Sequence, residues 1–333
     1  MKKIGLTTTV PIEVLLAAGY TPVDLNNLFV GSKNYSKYID EAEKDGFPRS
    51  LCAWIKGIYG ACISNNITEI VGVHDGDCSN TKALTEVLSM KGIKVYPFSY
   101  PSSHNITDVR RELDNFMNLF GVTLSEVEKV RAELNEIRKL GIKIDNLTYK
   151  DNKATALENH IWQISFSDLN HDMSLFKHDI NETIHIISKR QSSPSVLRLG
   201  YIGVPPMTSD IYEFVENFSA HIVYNEVQRE FAFPRAYKAQ NIYEQYWDYT
   251  YPYDVYFRIT EIQKQIDERK LDGIIHYTQA FCYRGIQDIV IKKNLKIPVL
   301  NIEGDKLNHL DARTKLRIEA FLDMLLDAKE GIF

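Results

Sequence analysis

Three cysteines fall at expected helix beginnings on a sheet edge, two of them just after a strand, a position that gives a thiol chemistry to do. In Glu69-Ile70-Val71-Gly72-Val73-His74-Asp75-Gly76-Asp77-Cys78-Ser79-Asn80 a buried strand runs into an Asp-Gly turn. Cys78 stands at the hinge before a helix, with Ser79 and Asn80 as candidate caps. Pro48-Arg49-Ser50-Leu51-Cys52 puts Cys52 in the opening turn of a second helix. Leu271 to Cys282 reads as a strand, a short polar loop, and then Cys282 ahead of a helix over Ile286 to Lys292. At such places the free amides of the first helical turn and the positive end of the helix dipole favour a thiolate. The remaining one of the four cysteines, Cys62, lies within the helical stretch Gly57 to Ile63, so a packed apolar thiol is expected there.

Thiolates from two sheet edges that meet in a cleft would hold a metal. A closed structural zinc site needs a fourth Cys or His. His74 and His276 are the candidates, but both read as strand residues, where a hydrogen-bonded core histidine is expected. A [4Fe-4S] cluster held by Cys52, Cys78 and Cys282 leaves one iron open to a substrate oxygen or water, and helix N-termini favour its negative charge. Neither C-x-x-C nor a ferredoxin run is present, so spacing leaves zinc and iron–sulfur both open. Ser50, Asn80 and Arg284 adjoin the cysteines as candidate hydrogen-bond donors to cluster or substrate, with solvated helix-cap roles as the alternative. Glu226, in Tyr224-Asn225-Glu226, ends a strand near the expected cleft. Glu303 and Asp305 read as turn residues, and the Tyr/Trp-rich run Tyr243 to Tyr256 as aromatic core, dimer interface or cleft wall.

Composition narrows the function classes. The 333 residues suffice for two domains, and 44% hydrophobic with 25% charged residues is ordinary globular composition. A net charge of −5 with no Lys/Arg stripe argues against nucleic acid as a partner. No apolar run reaches the length of a membrane span, and Met1-Lys2-Lys3 leads straight into a strand rather than a signal peptide. Unpaired cysteines do not form a secreted disulfide framework, so a cytoplasmic protein with reduced thiols is expected. Neither G-x-G-x-x-G, nor a P-loop, nor a G-x-S-x-G elbow occurs.

The elements that would position the cysteines alternate at βαβ spacing. Residues 1–104 form an α/β domain with strands at Lys3 to Thr7, Thr21 to Leu25, Ile70 to Val73 and Ile93 to Phe98, the last expected to end at Pro97. Residues 105–190 are helical, with helices over Asp108 to Phe120, Thr123 to Leu140, Lys150 to Phe166 and Met173 to Lys189. Thr123 and Glu126 have capping-box spacing. Gln191 to Ser195 is a polar linker into a second α/β domain, residues 191–333, with strands at Leu197 to Val204, Ala220 to Tyr224, Gly273 to His276 and Pro298 to Ile302. No internal sequence repeat is visible.

In this order the motifs resemble the 2-hydroxyacyl-CoA dehydratase family, iron–sulfur subunits related to benzoyl-CoA reductase and the double-cubane cluster proteins. Ile4-Gly5 and Val10-Pro11-Ile12-Glu13 through Ala18-Gly19-Tyr20-Thr21-Pro22-Val23 resemble its opening. Cys52 and Cys78 fall where it has its first two cluster ligands, and Asp272 to Cys282 resembles the segment that leads to the third. Pro298 to Asp305 and Arg317 to Phe321 are similar to its C-terminal signature. The resemblance implies two flavodoxin-like parallel-sheet domains joined by a helical segment, one [4Fe-4S] cluster on Cys52, Cys78 and Cys282, and pairing as a homodimer or with a sister subunit. It also implies electrons from an ATP-dependent iron–sulfur activator and a ketyl radical at a thioester carbonyl that lets the 2-hydroxyl of an acyl-CoA leave. An ATP-driven reductase of a small molecule, as in the double-cubane proteins, and a non-catalytic electron-transfer subunit are the other activities that fit. The chain is short for the CoA-dependent members and shows no segment assignable to CoA. Three thiolates are also too few for a double cubane within one chain.

Overall fold

The computed structural model describes residues 2–305 and 309–331. Lys2–Leu6 (β1), Tyr20–Asp24 (β2), Glu69–Asp75 (β3) and Lys94–Ser99 (β4) form a parallel sheet in the order β2-β1-β3-β4. Leu197–Gly203 (β5), Ala220–Asn225 (β6), Gly273–Gln279 (β7) and Val299–Gly304 (β8) form a second, in the order β6-β5-β7-β8. These are the two flavodoxin-like sheets that the resemblance implies. The same strand order appears twice although the sequence shows no repeat. Every residue of β7 is buried, including His276 and Gln279, as befits an interior parallel strand covered on both faces.

Pro97 sits inside β4 rather than ending it. β4 is an edge strand, where a missing amide donor is tolerated, and the strand continues to Ser99. The Thr123/Glu126 capping box forms as expected, but its helix, Leu124–Tyr149, runs well past Leu140. Gly141 does not stop it. A Cβ there would lie 2.9 Å from the Phe166 ring and 3.2 Å from Ala232, so the glycine serves close packing. The next helix begins only at Ala156, where Thr155 and Glu158 make a second capping box. Leu25, expected to close the second strand, instead opens a short helix, Leu25–Val30, capped by the Asp24 carboxylate through the Asn26 amide.

The principal core joins Ile4, Leu6 and Val71 of the first sheet to the long helix (Val127, Leu134, Ile144) and to Phe233, Tyr246 and Tyr249 from the last third of the chain. The aromatic run is therefore largely core. Buried ion pairs rivet the same seam. Glu13 accepts from Arg138 at 2.7 Å, from Gln245 at 2.7 Å and from Tyr246 at 2.8 Å. Asp145 of the long helix takes a bidentate grip from Arg269 at 2.8 and 2.6 Å. Among the described residues no helix is long and apolar enough to cross a membrane.

Candidate functional site: a cavity lined by three thiols

In each sheet the first and third strands in sequence lie side by side, so the chain leaves them in opposite directions and a crevice opens at their carboxyl ends. The two crevices share one cavity of about 870 Å³, counted with its open mouth. Thr7 to Thr9 line it from beyond β1, Asp77 and Cys78 from beyond β3, Val204 and Pro205 from beyond β5, and Cys282 and Arg284 from beyond β7. Cys52 enters from the start of the helix Ala53–Ser64. All three cysteines singled out by sequence thus face one space.

Each thiol has a distinct setting. Cys52 is itself the N-cap residue of its helix, in place of Ser50. Burial raises its pKa, the Trp54 and Ile55 amides oppose that, and the neighbouring Cys282 and Asp305 raise it again. Burial pushes Cys78 up to about 12, assisted by Asp77 and by the Cys52 and Cys282 sulfurs, with the Asn80 amide pulling the other way. The three sulfurs therefore sense one another, and their accumulated negative charge is unfavourable without a cation among them. Among the described residues no three Cys, His, Asp or Glu side chains close tightly around a single-ion position. Cys62 lies in the core behind the first sheet, fully buried, its Sγ 3.8 Å from the Ile67 carbonyl and its pKa pushed up to about 12 by burial.

The other candidates separate cleanly. Arg284 lines the cavity and is buried; its Nη2 donates to the Tyr251 carbonyl at 3.2 Å, and its guanidinium lies 4.5 Å from the Tyr251 ring centre. It is the one Lys or Arg among the described lining residues. Ser50 is exposed and Asn80 half-buried, and neither lines the cavity; the Asn80 side chain makes no cap bond. Glu226 is buried away from it, accepting from Arg258 at 2.7 and 2.9 Å and from the Gly203 amide at 3.0 Å. Burial would push its carboxyl up, and Arg258 more than reverses that. His74 meets Thr85 at 3.1 Å and His276 meets Asp288 at 2.9 Å; both lie off the cavity. Glu303 and Asp305 are exposed, and the Asp305 carbonyl accepts from Gln279 at 2.7 Å.

Several lining groups carry no sequence signal of their own. Trp54 donates its indole N–H to Asn26 at 2.6 Å, and Asn26 in turn donates to the Thr7 carbonyl at 3.0 Å and to Asp24 at 2.7 Å. Asp24 is held above the usual carboxylate range by burial and by the nearby Asp168. Asp77, next to Cys78, is pushed up to about 6 by loss of water contact despite the opposing charge of Arg284.

Residues 7–325 match a family model described as 2-hydroxyglutaryl-CoA dehydratase, D-component. A search of curated proteins returns no match.

Proposed function

The chain belongs to the 2-hydroxyglutaryl-CoA dehydratase D-component family, and from that premise we propose that its cavity houses a [4Fe-4S] cluster on Cys52, Cys78 and Cys282. The activity proposed is reductively initiated dehydration of a 2-hydroxyacyl-CoA, in the cytoplasm. Electrons would come from an ATP-dependent iron–sulfur activator, and the functional unit would be a homodimer or a pair with a sister subunit. One observation carries this reading: three thiols from three separate loops, contributed by both sheets, line a single cavity.

The donor set fits the group. Three soft sulfur ligands suit iron–sulfur chemistry. Burial makes thiolates costly unless a metal shares their charge, and that cost is plain at Cys78. Ligands that grip different corners of a cubane stand apart by its width, so they need not crowd a single-ion position. When bound, the group supplies a low-potential electron path and a Lewis-acidic iron free of protein ligands. The chain does the rest. Arg284 offers the single positive charge among the described lining residues to an anionic occupant, and Val30, Ile58 and Ile164 keep the wall apolar. The Trp54–Asn26–Asp24 chain fixes the polar side, and Gln279 is held by the Asp305 carbonyl.

Anaerobic purification followed by metal analysis and EPR tests this reading. About four irons per chain are expected, the stoichiometry of one cubane. Stoichiometric zinc without iron would overturn it.

A further inference from the structure

The Cys78 and Cys282 loops are counterparts. β3 ends at Asp75 and β7 at Gln279, so each cysteine follows its strand at the same interval, one on each sheet. Among the described residues no backbone hydrogen bond joins the two loops. Tyr251 touches both. Its phenol O–H donates to Asp77 Oδ1 at 3.2 Å, beside Cys78. Its carbonyl accepts from Arg284 Nη2 at 3.2 Å, two residues past Cys282, and its ring carries the same guanidinium at 4.5 Å.

Two further features make this residue a post rather than a passing contact. The Tyr251 ring is fixed in the aromatic cluster, stacked on Tyr249 and edge-on to Phe231, both at 6.2 Å between centroids. The Cys78 loop is also cut to receive the segment. Gly76 adopts φ +87°, and a Cβ there would come within 2.9 Å of the Pro252 side chain and 2.7 Å of Tyr100.

We propose that Tyr251 is a positioning residue that clasps the Cys78 loop to the Cys282 loop and so sets the separation of the two sulfurs across the sheets. What the clasp does for a cluster rests on the function proposed above; the clasp itself does not. A ligand set divided between two sheets needs a shared third part to fix its span, and Tyr251 bonds to one loop with its side chain and to the other with its backbone.

The test is made on the reduced, metal-free full-length chain, using a short bis-alkylating thiol reagent and mass spectrometry. Wild type should yield both a Cys78–Cys282 and a Cys52–Cys78 cross-link. Tyr251→Phe removes only the bond to Asp77, and should lower the Cys78–Cys282 yield several-fold, approaching the ~10-fold expected when a hydrogen bond to a charged group is lost. The Cys52–Cys78 yield, read within the first sheet, should hold. Arg284→Met, which removes the bond to the Tyr251 carbonyl, should produce the same selective loss and decides the matter if the first variant is unstable. Wild-type yields in both variants, or equal loss of both cross-links, would overturn the clasp. Selective loss in the variants together with a wild-type chain that binds no iron would sink the cluster reading alone.

Discussion

Glu226→Gln separates a structural carboxylate from a chemical one. Sequence places Glu226 at a strand end beside the cleft, whereas the structure gives it to Arg258, whose side chain has 0% exposure against 4% for Glu226. Both Glu226 oxygens accept from Arg258, at 2.7 and 2.9 Å, one of them also from the Gly203 amide at 3.0 Å, and Arg258 Nη1 is bound to Gln287 at 2.7 Å. The amide variant keeps the shape and one acceptor but leaves a buried guanidinium without its counter-charge. Breaking a buried pair costs about 3–5 kcal/mol, and the retained acceptor puts this variant near ~3 kcal/mol. Adding Arg258→Met should recover part of the loss, since it removes the uncompensated buried charge that the single variant leaves. Urea unfolding of the two singles and the double measures the coupling directly.

The pH dependence carries a sign. Arg258 holds the Glu226 carboxyl below its ordinary value of 4.5. The pair's contribution is therefore complete above the unfolded value and disappears as pH falls through the folded one. The gap between wild type and Glu226→Gln should close in acid. A variant that keeps full stability at pH 7 but loses activity would refute the structural assignment and return Glu226 to the chemistry.

Alanine at Cys52, Cys78 or Cys282 should abolish iron retention, while Cys62→Ala should leave iron in place and cost ~1 kcal/mol, read by metal analysis and thermal melts. Arg284→Gln removes the one cation among the described lining residues, so a retained cluster should shift to a more negative reduction potential in a redox titration. Asp24→Asn should stabilise the protein at pH 8 and lose that advantage at pH 4. Asp24 is raised by burial and by Asp168, which itself meets His171 at 3.1 Å, while Asn26 bonds and Ser167 lower it. A carboxyl raised in the folded state contributes stability at low pH that is lost as pH rises through its folded value. Gly141→Ala, driven 2.9 Å from the Phe166 ring, should destabilise by about 1–3 kcal/mol in thermal unfolding.

The fold was legible where one rule acted alone, and the site where a residue type announced its chemistry. Apolar runs gave all eight strands, and Thr123 with Glu126 gave the start of the long helix, because burial and capping are local. Its far end at Tyr149 was not legible, since Gly141 stops a helix by local preference and only the Phe166 ring explains why the helix continues. Cys78 and Cys282 stood out because a strand-to-helix hinge is visible in sequence, and Cys52 because a helix start is. Glu226 looked equivalent because its partner Arg258 lies on another helix, and nothing local records that pairing. Tyr251 is the converse case. Within Tyr243 to Tyr256 it is one aromatic among many, and the principal core takes Tyr243, Tyr246, Tyr249 and Tyr253 as interior residues. What distinguishes Tyr251 is a bond to Asp77 far earlier in the chain and another from Arg284 farther on. Both depend on the carboxyl ends of the two sheets facing one cavity. A ligand can therefore be found from its own neighbours in sequence, while the residue that sets the distance between ligands becomes visible only after the sheets have been brought together.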